Sequence, residues 1–214
     1  MPRSYRKAFR GSIAAFILLS AVTGAGWMRG VDMLVLRASQ APASALLDAI
    51  SEAFSLAGGI FVTVALTGAL VTVLYVRGRR ALASRLAAAF VAASVIEVAL
   101  KLYLPVPPLP LQYLRAGPED LIVSLPNPYP SGHMMRCVFL AGAVASLWPS
   151  RPVRTAAVML VVAMAATRVY LGVHWASDVV GGALLGAAAL AWALGRYSRG
   201  SGADSRIQHK ERVR

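Results

Sequence analysis

The side chains in this sequence most able to do chemistry are few and similarly placed. Lys101, His133, Arg136, Arg168, His174 and Asp178 each lie near one end of an otherwise apolar run. Ionisable groups within a bilayer are costly, which makes these six functional candidates. Lys101 closes one run, His133 and Arg136 open the next, Arg168 closes another, and His174 and Asp178 open the last. Antiparallel helices built from these runs bring all six to one membrane face. The third histidine, His209, lies in a polar tail and reads as solvated.

Spacing refines the chemistry. His174 and Asp178 are four residues apart and share a helical face. A carboxylate there fixes the imidazole's orientation and tautomer and leaves its other nitrogen free to react. Arg168 is off that face on a continuous helix, but Gly172 predicts a turn that lets the two meet across a corner. Pro130-Ser131-Gly132-His133 reads as a helix start. Pro suits that position, Ser131 can cap it, and Gly132 lets an anion approach the backbone. The N–H groups and helix dipole then favour a phosphate.

Three other readings compete. A metal site of His133, His174 and Asp178 would have Lys101 and two arginines repelling the cation. Structural pairing of Glu97 with Lys101, at helical spacing, and of Asp178 with Arg168 leaves two histidines at one depth unexplained. A transporter would show paired broken helices at the midplane, whereas these charges sit at the rim.

The elements that position such a site follow from composition. Of 214 residues, 57% are apolar and 14% charged, against about 25% charged in a soluble domain. Mean hydropathy is +0.62. These values exclude a disordered chain, a collagen-like chain and an ordinary cytosolic enzyme. One cysteine, Cys137, excludes a disulfide framework and a cysteine zinc site. The net charge of +13 comes without a nucleic-acid-binding motif, so it reflects membrane topology rather than RNA or DNA.

Six runs approach the roughly 20 residues that cross a bilayer as helix: 11–28, 55–76, 82–104, 131–148, 155–171 and 175–195. The first, behind Arg3, Arg6, Lys7 and Arg10, also fits a signal peptide. Basic residues fall at the N-terminus, at Arg77–Arg85, at Arg151 and Arg154, and in the tail, which places both termini in the cytoplasm. Segments 29–54 and 105–130 then face outward, where Asp32, Asp48, Glu52, Glu119 and Asp120 outnumber Arg29, Arg37 and Arg115. Residues 43–54 put Leu46, Leu47, Ile50 and Phe54 at helical spacing opposite Asp48 and Glu52, as an interfacial helix would. The proline-dense 105–130 segment predicts a long ordered loop. No internal repeat is present.

The motifs resemble a known family. Pro130-Ser131-Gly132-His133 and Thr167-Arg168-Val169-Tyr170-Leu171-Gly172-Val173-His174-Trp175-Ala176-Ser177-Asp178 are similar to the P-S-G-H and S-R-x5-H-x3-D motifs of the type-2 phosphatidic acid phosphatase superfamily. Thr167 stands where Ser is usual. The resemblance covers roughly residues 55–195 and implies a metal-independent, cofactor-free lipid phosphatase in the membrane. It implies His174 as nucleophile through a phosphohistidine, Asp178 as its orienting carboxylate and His133 as acid to the leaving group. Lys101, Ser131, Gly132 and Arg168 would hold phosphoryl oxygens. The family's first motif, K-x6-R-P, departs here: Lys101 is followed seven positions on by Pro108 and then Leu109. Arg136, three residues beyond His133, is the expected replacement cation, with Arg115 as second candidate; the alternatives are that Arg136 only neutralises Glu97 or snorkels to the headgroups, and that no cation replaces the Arg.

The whole expectation is an all-α membrane bundle of six transmembrane helices over 1–198, with an interfacial helix, a proline-rich outer loop and a basic cytoplasmic tail at 199–214. The site would face the extracytoplasmic side. Its substrate would be a phosphatidic acid-like lipid phosphate or an undecaprenyl pyrophosphate-like isoprenoid. A lipid phosphotransferase and a silent lipid-phosphate-binding relative are the alternatives.

Overall fold

The computed structural model describes residues 1–116 and 127–197. Among them the regular structure is helical: α1 (Arg3–Gly24), α2 (Arg29–Gln40), α3 (Ala45–Gly58), α4 (Ile60–Val76), α5 (Arg80–Tyr103), α6 (Gly132–Leu147), α7 (Arg151–Tyr170) and α8 (Ala176–Tyr197), with a short 3-10 turn at Leu111–Tyr113. Pro118, Glu119, Asp120 and Pro126 of the outer loop, and the tail with His209, lie outside the described residues.

Local chemistry sets the boundaries. Ser44, Ser131 and Ser150 each cap a helix by accepting from the backbone N–H three residues on. Gly78 and Gly172 end α4 and α7 with φ of 79° and 68°. At Gly172 the space is also closed, because a β-carbon there would collide with the Tyr113 carbonyl.

Among the described residues, four helices are long and apolar enough to cross a bilayer: α1, α5, α7 and α8. α3 and α4 pass that test only together, as a pair bent by 43° that is either a broken span or a re-entrant loop. α6, at 16 residues, is apolar but shorter. Each expected run falls on a helix, with three corrections. The run expected at 11–28 belongs to a helix that starts at Arg3, among its basic residues, and ends at Gly24. The segment expected at 43–54 is helix α3, which extends through Gly58, so the apolar run expected at 55–76 is divided at Gly59 between α3 and α4. Residues 29–40, read only as an outward segment, form helix α2.

The bundle turns an apolar coat outward. In α4, Phe61 is 86% exposed and Val76 79%, while Thr63, Thr67, Leu70 and Leu74 face inward. That arrangement is stable only against lipid. α8 is the central helix and packs on α1, α5 and α6. Its approach to α6 depends on Gly182 and Gly186, where a β-carbon would collide with the carbonyls of Ser131 and Met135. Small residues four apart are what allow two membrane helices to touch backbone to backbone. This contact places the start of α6 beside the start of α8.

Candidate active site

At one end of the bundle α5 and α7 finish while α6 and α8 begin, and the expected site residues meet there. Asp178, in the first turn of α8, is fully buried. Its Oδ2 accepts from the Trp175 N–H at 2.8 Å and stands 3.5 Å from His174 Nδ1. The second distance is an ion-pair approach rather than a tight hydrogen bond. The chain turns at Gly172 between Arg168, which is 1% exposed, and His174. Lys101 and Arg168 impose their charge on both His174 and His133, and Arg136 also acts on His133.

The start of α6 is stitched to this centre. The Ser131 N–H donates to the Asp178 carbonyl at 2.9 Å, and Ser131 Oγ accepts from the Met134 N–H at 3.4 Å. Tyr129 anchors the preceding residues: its hydroxyl lies 2.8 Å from Ser20 Oγ and its ring stacks on Phe16. His133 lies against Gly58 at the end of α3. Lys101 Nζ donates to the Pro128 carbonyl at 3.2 Å, and the same carbonyl approaches the His174 imidazole.

Beneath the α6 start, Arg136 Nη1 bonds Glu97 Oε2 at 3.0 Å, both side chains being buried. A β-carbon on Gly132 would collide with the Glu97 carboxylate and lie 2.7 Å from Arg136 Nη1. Arg136 therefore lies beside Gly132 of the P-S-G-H turn, and its partner there is Glu97. Glu97 also lies in the field of Lys101 one turn on, so the expected Glu97–Lys101 pair is in practice a three-residue cluster.

Arg115, the second candidate cation, is engaged elsewhere. Its Nε and Nη2 reach the two Asp48 oxygens at 2.8 Å each, and its guanidinium lies over the Tyr170 ring. Tyr170 donates to Asp48 at 2.7 Å, and the Arg115 N–H donates to the Leu171 carbonyl. The hydrogen bond with Asp48 raises the pKa of Arg115 above its ordinary value. Gln40 Nε2 bridges the carbonyls of Tyr113 and Tyr170. Arg37 donates to the Tyr113 hydroxyl and lowers its pKa. The rim of the site is thus a polar belt joining α2, α3, the outer loop and the α7–α8 corner.

Three contributors have no signature in the sequence: the Asp32 carboxylate, the Pro128 carbonyl and the Asp48 belt. Backbone carbonyls carry no residue-type signal, and the two carboxylates read as ordinary charges of an outward segment.

A model of the PAP2 superfamily matches residues 82–199, more than half of the chain, and includes every expected site residue. The chain belongs to the PAP2 superfamily. A search of curated proteins returned no match. Among solved structures, the fold is similar to a transmembrane PAP2-type phosphatidylglycerolphosphate phosphatase from Bacillus subtilis. The TM-score is 0.74 at 18% identity, over 90% of this chain and 97% of that one. With its apolar helices, this PAP2 protein is a multi-pass membrane protein. The family model begins at Leu82, so α1 to α4, which supply Asp32 and Asp48, lie outside it.

Proposed function

We propose that this PAP2 protein is a metal-independent lipid phosphatase that works through a phosphohistidine on the extracytoplasmic face. The observation that carries the reading is the buried Asp178 carboxylate 3.5 Å from His174 Nδ1, in the field of Lys101 and Arg168. Asp178 holds the ring so that Nε2 is the attacking nitrogen. Nε2 forms a bond to phosphorus as the ester or anhydride P–O bond breaks. His133 gives a proton to the departing oxygen, then takes one from the water that hydrolyses the phosphohistidine. Lys101, Arg168 and the α6 start with Ser131 and Gly132 hold the phosphoryl oxygens, and Arg136 adds positive charge from below. That cationic surround disfavours a metal.

The outward face follows from charge. Arg77, Arg79, Arg80, Arg151 and Arg154 lie at the end of the bundle opposite the site, as cytoplasmic segments should. This reading treats α6 and the bent α3–α4 pair as spans, which makes six. The substrate class is a lipid phosphate or isoprenoid pyrophosphate, and the exposed apolar coat beside the site suits either chain. Pro108 in place of the first-motif Arg favours one second reading, a lipid phosphotransferase.

The test is phosphate release by the detergent-solubilised protein from a panel of lipid phosphates and pyrophosphates, with and without EDTA, alongside His174→Ala. Turnover unaffected by EDTA and absent in His174→Ala is expected. Full activity in that variant, or activity lost to chelation and restored by metal, would refute the mechanism. Transfer to an acceptor lipid without free phosphate would select the second reading.

A further inference from the structure

Of the two carboxylates that reach the catalytic end from outside the family model, Asp48 sits in the rim belt and Asp32 lies deeper, against the start of α8. Asp32, in the first turn of α2, is 4% exposed. Its Oδ1 accepts from the Ser177 N–H at 2.8 Å and its Oδ2 from the Ser177 hydroxyl at 2.7 Å. Ser177 is the second residue of α8 and lies next to Asp178.

The first N–H groups of a helix lack intrahelical partners, and the residue before the helix normally supplies a side-chain acceptor. Before α8 that residue is Trp175. Its indole is a donor only, and it donates to the Pro107 carbonyl at 2.9 Å. One half of a reciprocal cap is present, because Asp178, the third helical residue, reaches back to the Trp175 N–H. The other half is missing from the local sequence. Asp32 provides it from 145 positions away. α2 is itself held in place, with Leu36 fully buried and Gln40 bonded to the Tyr113 and Tyr170 carbonyls.

We propose that Asp32 is the positioning residue of the His174–Asp178 pair, fixing the first turn of α8 so that Asp178 Oδ2 serves both the Trp175 N–H and His174. This rests on His174 as nucleophile. It makes the segment before the family model a part of the catalytic geometry. The His174–Asp178 approach has little slack, since Oδ2 already accepts from the Trp175 N–H and stands 3.5 Å from Nδ1, at the outer limit of hydrogen-bond contact. A shift of the first turn of α8 moves the carboxylate away from the ring. Asp32 touches no reacting atom, so its loss acts on turnover rather than on substrate capture.

The test compares wild type with Asp32→Ala, Asp32→Asn, Ser177→Ala and His174→Ala, each purified in detergent and assayed on the panel substrate that wild type hydrolyses best. Asp32→Ala should lower kcat about 10–100-fold, the scale of a small misplacement of a catalytic group, and change KM by no more than about threefold. Asp32→Asn keeps an acceptor for the Ser177 N–H and should recover kcat to within about fivefold of wild type. Ser177→Ala, which keeps the backbone bond and loses the hydroxyl, should lower kcat about 3–10-fold. If Asp32→Ala does not fold, Ser177→Ala decides: an unchanged kcat there overturns the proposal. So does a folded Asp32→Ala with wild-type kcat, or one in which only KM moves. Inactive His174→Ala beside fully active Asp32→Ala sinks the positioning role alone, whereas active His174→Ala sinks the phosphohistidine reading and this proposal with it.

Discussion

Arg136 shows how a single residue can serve two demands. Helical spacing from His133 puts it on the site's side of α6, and its guanidinium lies under Gly132 with Glu97 as partner. Breaking such a pair from one side leaves a buried charge uncompensated, at about 3–5 kcal/mol. Arg136→Ala alone would therefore confuse folding with catalysis. The informative variant removes both charges. Glu97→Gln/Arg136→Met should elute as a monodisperse detergent complex, while its kcat/KM falls about tenfold, or about 1.4 kcal/mol of transition-state stabilisation. Near-wild-type kinetics in that double variant would reduce Arg136 to a neutraliser of Glu97 and leave Lys101, Arg168 and the α6 start as the phosphate clamp.

At the scale of elements, the site depends on the contact between α6 and α8. Ser131 bonds the Asp178 backbone only because Gly182 lets the two helices approach. Gly182→Val forces a side chain into the Ser131 carbonyl, so either the helices part or the chain shifts along α8. Overpacking of this kind typically costs about 1–3 kcal/mol. Activity should fall further than stability, since the motif from α6 and the motif from α8 would no longer register. Thermal unfolding of the purified variant measured beside its kcat separates the two effects. Wild-type kcat in a folded Gly182→Val protein would show that the α6–α8 approach does not set the catalytic geometry.

For the whole molecule, the asymmetry of charge between the two ends predicts orientation. In a Cys137→Ser background, Leu111→Cys reports on the rim of the site, where Leu111 is 82% exposed. Arg79→Cys reports on the opposite end, between α4 and α5. A membrane-impermeant thiol reagent applied to intact cells should label position 111 and spare position 79. The reverse pattern would invert the topology and put the phosphatase site in the cytoplasm.

Much was legible in the sequence because membranes impose one-dimensional rules. A bilayer demands apolar runs of a set length, so helix positions could be read from composition along the chain. Charged residues at the ends of those runs stood out against them, and the P-S-G-H and R-x5-H-x3-D patterns lie within short stretches that each form one turn or corner. Helix α2 escaped because a short helix of mixed polarity has no length rule to obey. Glu97 was legible as a neutralising partner of Arg136, but the partner of Arg115 and the acceptor that caps α8 stayed hidden. Each joins residues from separate elements, as Asp32 and Ser177 do across 145 positions. Periodicity reports which face a side chain occupies, not which neighbour's face it meets. Those pairings were decided by the packing of the bundle, because a buried polar group is costly unless a partner meets it, and here the partner comes from another element.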